Sequence, residues 1–158
     1  IIPFSATPTK KSNNTFQCYP QFDMTIVPTK TPMSFQRHIQ NLPTWKNILI
    51  QSGRETNAND SLLELIQTKQ TIIIASDGSK SATTSGGAWV FTNSKGTFLI
   101  EGHNPDFGTI DEIHSHRVEV FGLLAALLFL DEYCRYYFIQ CYSQIHYYCD
   151  NLEVVNKV

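Results

Sequence analysis

Three consecutive isoleucines, Ile72 to Ile74, lie in the stretch TIIIASDGSKSATTSGGAWVF, residues 71–91. A run of β-branched residues without polar alternation reads as a strand covered on both faces. That strand occupies residues 71–77 and ends on Asp77, a carboxylate closing the most apolar strand of the chain. Such an aspartate either opens a turn or is kept at the strand end for chemistry. Gly78, Ser79 and a polar loop follow, and GGAWVFTN (86–93) reads as a second strand. NSKG is a turn, and TFLIEGHN (97–104) is a third strand.

After the loop PDFGTIDE comes a long helix over 115–137, apolar on nearly all sides and therefore buried. Glu119 stands as a lone acid in its apolar run. Gly122 and Ala126, three and seven residues on, let that helix face approach the sheet closely. QIHYYCD (144–150) is a fourth strand, and NLEVVNKV begins a second helix, with Asp150 or Asn151 as its cap. The order β-β-β-α-β-α predicts an α/β domain with a mixed sheet. Three strands form an antiparallel meander, and the helix crosses over to a fourth strand parallel to the first. The first and fourth strands are then neighbours, with Asp77 and Asp150 at their C-terminal ends.

The first 70 residues differ in character. Six of the seven prolines lie within residues 1–43, among many Thr, Ser, Asn and Gln. This predicts an extended, irregular connector over 1–70, ahead of a domain over 71–158. Short helices are expected at 34–41 and 44–51, and a better one at SLLELIQ, where Ser61 and Glu64 fit a capping box. A chain of 158 residues accommodates one domain and a smaller appendage. It begins at Ile1 without a Met and ends at Val158 in the first turns of a helix, so it reads as a piece of a longer product. No basic segment followed by an apolar one marks export. The longest apolar run, residues 120–130, is too short to span a bilayer. An intracellular protein, in cytoplasm or nucleus and without a membrane partner, is the expectation. Cys18, Cys134, Cys141 and Cys149 form no CxxC pair and are expected as reduced thiols. The acceptor-like triplet Asn13-Asn14-Thr15 has no meaning without secretion.

Charge is uneven along the chain. Residues 1–71 carry seven basic and four acidic side chains; residues 72–158 carry five and ten. The second part has no basic footprint for nucleic acid, and its acids suit a divalent cation instead. Three carboxylates converging in a partly buried site repel one another, and without a counter-charge some take up protons. Mg²⁺ prefers oxygen ligands in octahedral geometry and keeps several waters. Two such ions about 3.5–4 Å apart activate an attacking water and stabilise the leaving oxygen of a phosphodiester.

At these residues the chain resembles a known family. SDGS…GGAW with its glycine-punctuated meander, HSHRVEVFGLLAALLFL and YYCDN are similar to ribonuclease H domains, most closely those at the C-terminal end of retroelement reverse transcriptases. The resemblance covers residues 71–158, with acids 42 and then 31 residues apart. It implies a ribonuclease H-like sheet, hydrolysis of the RNA strand of RNA–DNA hybrids, and two Mg²⁺ ions, with Mn²⁺ as substitute. Asp77 would bridge both ions, and Glu119 and Asp150 would each help to hold one. Gly78, Ser79, Ser115, His116 and Asn151 would lie near the substrate. Amides often precede the helical Glu in the family; Ser115 and His116 stand there instead, which bears on substrate affinity. The family's fourth acid lies beyond the second helix, past the end of this chain, so the piece is expected to be marginally stable and nearly inactive alone. A reverse transcriptase domain is the implied neighbour.

Blander readings stand beside these. Asp-Gly-Ser is commonly a turn, and Asp150 alone is a helix cap. A phosphatase of the Asp-x-Asp type needs an acid where Ala75 stands. His114 and His116 are first-turn polar residues rather than a ligand pair. Trp89, Phe91 and Phe98 are core and cross-strand residues rather than base-stacking platforms. Two function classes follow: an active nuclease, or a non-catalytic ribonuclease H-like module of a polyprotein, with the three acids in order favouring the first.

Overall fold

The computed structural model describes residues 4–11, 15–22, 33–56, 59–107 and 115–150. The chain divides into two compact units, Ile1–Met33 and Ser34–Val158. In the first, β1 (Phe4–Lys11) and β2 (Thr15–Phe22) pair antiparallel, from Phe4 opposite Phe22 to Lys11 opposite Thr15. Prolines argue for irregular chain here, yet Pro8 and Pro20 sit inside these strands. Each strand of a two-stranded pair has an outer edge, where a missing N–H costs no ladder bond.

The second unit begins well before residue 70. The Ser34 hydroxyl accepts from the Arg37 amide and starts α1 (Phe35–Gln40). Pro43 leads into α2 (Thr44–Ile50). Ser61 accepts from the Glu64 amide at 3.1 Å and starts α3 (Leu62–Gln67). These three helices are not part of a connector. Ile39, Leu49, Ile50, Leu62, Leu65 and Ile66 are buried in one core with Ile72, Ile74, Trp89, Phe91 and Phe129. The unit boundary therefore falls at residue 33, not 70. A short helix with two or three apolar residues reads as loop-like in sequence, but its burial is decided by the surface it meets.

The sheet is mixed and five-stranded. β3 (Arg54–Glu55), β4 (Ile72–Lys80), β5 (Ser85–Thr92), β6 (Phe98–Pro105) and β7 (Ile145–Tyr148) lie in the order β3-β6-β5-β4-β7. The meander β4-β5-β6 is antiparallel, β3 joins β6 antiparallel, and β7 joins β4 parallel. The expected four strands and their directions are present; β3, two polar residues long, leaves no pattern to read. Between β5 and β6 the Asn93 side chain accepts from the amides of Lys95 and Thr97, and Gly96 takes φ +81°, a conformation glycine adopts without strain.

α4 (Ser115–Tyr137) makes the crossover. It is not buried all round: Val120, Leu124 and Leu127 are about two-fifths exposed, forming one outer stripe. An all-apolar helix does not reveal which face meets the sheet. The inner face does so at Gly122, where an added Cβ would stand 3.1 Å from the Ser76 Cβ. An added Cβ on Gly87 would likewise come within 3.2 Å of the Gly122 Cα. Helix and sheet therefore touch nearly backbone to backbone at this crossing. Glu119 is not the helix's lone buried acid. Glu132 is buried too, with Lys46 Nζ at 2.6 Å and His38 Nε2 at 3.1 Å. Burial pushes its carboxyl up, but the bonds and charges of Lys46 and His38 outweigh this and hold it below the ordinary value. This triad ties α1 and α2 to α4.

Trp89 and Phe91 pack in the core, ring centroids 5.9 Å apart, whereas Phe98 is exposed. Among the described residues no helix is long and apolar enough to cross a membrane.

Candidate metal centre

Strand register sets two of the expected acids, Asp77 and Asp150, at matching positions on neighbouring chains, while only Glu119 and Asp150 share a tight cluster. β4 and β7 pair from Ile72 opposite Ile145 to Ala75 opposite Tyr148. Asp77 and Asp150 each lie two residues beyond that last pair, on adjacent parallel chains. β4 runs three residues past Asp77 through its pairing with β5, so Asp77 lies inside a strand and not at its tip. Burial alternates along β4: Ile72, Ile74 and Ser76 are buried, and Asp77 is exposed. Asp77, Ala88 and His103, paired across three strands, make an exposed row on the sheet.

The close approach at Gly122 sets Glu119, one turn earlier, onto β4. Its Oε1 accepts from the Gly78 amide at 2.9 Å, and its side chain is buried. The other oxygen, Oε2, accepts from the Cys149 thiol at 3.6 Å. Glu119, Cys149 and Asp150 each place one ligand atom within 4.8 Å of the others. Burial pushes the Glu119 carboxyl above its ordinary value. The bonds from Gly78 and Cys149 oppose this, and the carboxylates of Asp150 and Asp77 push it further up. The site is thus short of positive charge. Arg117, two residues earlier, turns away: its guanidinium bonds the Phe107 carbonyl and stands 3.8 Å from Asp106.

A hydrogen-bonded floor lies beneath. Ser76 Oγ and Tyr147 Oη are 2.7 Å apart. Burial, with Cys149 and the Glu119 charge nearby, raises the Tyr147 phenol to about 12, so it stays neutral. Cys149 and Tyr147 were not expected in the site. The signal was present: two residues apart, they share one side of an extended chain ending at Asp150.

Of the expected substrate residues, Gly78 has its amide engaged by Glu119. Ser79 is exposed on β4. Ser115 and His116 open α4, with side chains outside the described residues, and Asn151 lies outside them altogether. Cys134, Cys141 and Cys149 are not joined in disulfides; Cys18 is outside the described side chains.

No family model, curated protein or solved structure matches this chain. The donor set therefore has to speak for itself. Glu119 and Asp150 offer carboxylate oxygens to the cluster, and Asp77 is close enough for its charge to act on Glu119. The Cys149 sulfur inside the cluster is foreign to a Mg²⁺ site.

Proposed function

We propose that this chain carries a ribonuclease H-like domain of a retroelement reverse transcriptase polyprotein. In this reading it hydrolyses the RNA strand of RNA–DNA hybrids. The observation that carries the reading is the bond from the Gly78 amide to Glu119. It fixes a helical acid beside the residue that follows Asp77, with Asp150 in the same cluster. Asp77, Glu119 and Asp150 would hold Mg²⁺, or Mn²⁺ in its place. Bound divalent ions there would supply an activated water and neutralise the leaving oxygen.

The chain's own residues do the positioning. Gly78 and the tight α4–sheet crossing fix the Glu119 carboxylate, so no reorganisation is needed when substrate arrives. Asp77 and Ser79, exposed on the sheet, are accessible to a phosphodiester backbone. The acidic balance of residues 72–158 supplies little attraction for phosphates. Affinity for the hybrid then comes from an adjacent polymerase domain, the partner this reading requires, in an intracellular setting.

The test is cleavage of a labelled RNA–DNA hybrid by the parent protein in Mg²⁺ or Mn²⁺, with double-stranded RNA as control. Asp77→Asn should lower cleavage at least a hundredfold without changing the melting temperature, since the side chain is exposed. Near-normal turnover of that variant would remove Asp77 from the mechanism. One observation favours a second reading, a non-catalytic module of the same fold: the Cys149 thiol occupies Glu119 while Asp77 stands outside the tight cluster. That reading predicts no metal-dependent cleavage by the parent protein at all.

A further inference from the structure

The Cys149 thiol stands within the carboxylate cluster rather than beside it. Its Sγ lies 3.6 Å from Glu119 Oε2, and the sulfur, one Glu119 carboxylate oxygen and one Asp150 oxygen all lie within 4.8 Å of one another. Zinc binds thiolate sulfur at about 2.3 Å and carboxylate oxygen at about 2.0–2.2 Å, with tetrahedral angles. Two such ligands stand about 3.6 Å apart, which follows from those bond lengths and a tetrahedral angle. The Cys149–Glu119 pair already has that separation. Glu119 is pre-set by the Gly78 amide and its burial, and Cys149 follows β7 directly. Asp150 is exposed, giving an ion an entry path from solvent. One sulfur and two oxygens from three residues, with a fourth position left for water, match the ligand count of a three-ligand zinc site.

We propose that Glu119, Cys149 and Asp150 bind one thiophilic divalent cation of the zinc type, with Cys149 as a thiolate ligand. On binding, the thiol proton now donated to Glu119 leaves to solvent, the sulfur pair goes to the metal, and Glu119 Oε2 is released to coordinate. The binding needs no nuclease. Its consequence for hydrolysis, that such an ion excludes Mg²⁺ from Glu119 and Asp150, rests on the function proposed above. Cys149 then sets which metals the site tolerates.

The experiment uses the whole chain, without nucleic acid. Cd²⁺ is added as a probe, and the ultraviolet charge-transfer band of a cadmium–thiolate bond is followed; Zn²⁺ is then added to displace it. To isolate one thiol, Cys18, Cys134 and Cys141 are replaced by Ser. This background should give the band at one equivalent of Cd²⁺ and lose it to Zn²⁺. Adding Cys149→Ser should abolish the band. Asp150→Asn, at an exposed position that leaves folding intact, should weaken Zn²⁺ binding at least tenfold. A background without the band, or an Asp150→Asn variant that binds Zn²⁺ as the background does, overturns the site. A chain that binds Cd²⁺ this way yet never cleaves hybrid leaves the metal site standing and removes only the nuclease.

Discussion

Replacing Lys46 by Met tests how α1 and α2 are fastened to α4. Lys46 Nζ lies 2.6 Å from Glu132 Oε1, with side-chain exposures of 19% and 4%. At an effective dielectric of about 20, two unit charges at that distance attract by about 6 kcal/mol, before desolvation of both groups is subtracted. Removing one partner of such a pair leaves a buried charge and typically costs about 3–5 kcal/mol. His38 remains 3.1 Å from the carboxylate as a partial substitute, so the lower end applies, about 3 kcal/mol at neutral pH. Because the Glu132 carboxyl is held below its ordinary value in the fold, its contribution is present above the unfolded value. It is lost as pH falls through the folded value. The variant's deficit should therefore shrink on acidification. Urea denaturation of both proteins at pH 7 and near pH 3.5, below the ordinary Glu value of about 4.3, measures this. A deficit under about 1 kcal/mol at pH 7, or one that does not change with pH, refutes the argument.

Glu119→Gln keeps an acceptor for the Gly78 amide while removing a charge whose carboxyl is raised in the fold. A raised carboxyl contributes stability below its unfolded value and loses it as pH rises. The metal-free variant should therefore be more stable than the parent at neutral pH and equal to it in acid; equal curves at both refute this. Gly122→Val should overpack the crossing against Ser76, cost about 1–3 kcal/mol and lower hybrid cleavage through the displaced Glu119; unchanged melting and cleavage would show that α4 has room to move. Ser61→Ala removes the cap of α3 and should cost about 1 kcal/mol in chemical denaturation, with no effect on metal binding; a loss of metal affinity would contradict the separation of α3 from the site.

By itself the sequence determined the local elements. Ile72–Ile74 specify a strand because β-branched side chains suit a pleated, covered surface, and Ser61 starts α3 because its hydroxyl satisfies the Glu64 amide. The length of α4 and the parallel placement of β7 follow from helix pattern and crossover geometry, and these put Asp77, Glu119 and Asp150 in one neighbourhood. Tertiary structure decided what each side chain meets. The pairing of residues 54–55 with β6 has no signal in two polar residues. The burial of α1, α2 and α3 depends on the surface they cover. Glu132 looks like an ordinary acid near a helix end until Lys46 and His38, 86 and 94 residues away, arrive beside it. Cys149 looks like one more thiol near the core until the backbone-close crossing at Gly122 sets Glu119 against it. Neighbour-to-neighbour patterns in a chain record which face a residue is on; only the folded packing sets which distant groups share that face, and the chemistry of this site depends on that sharing.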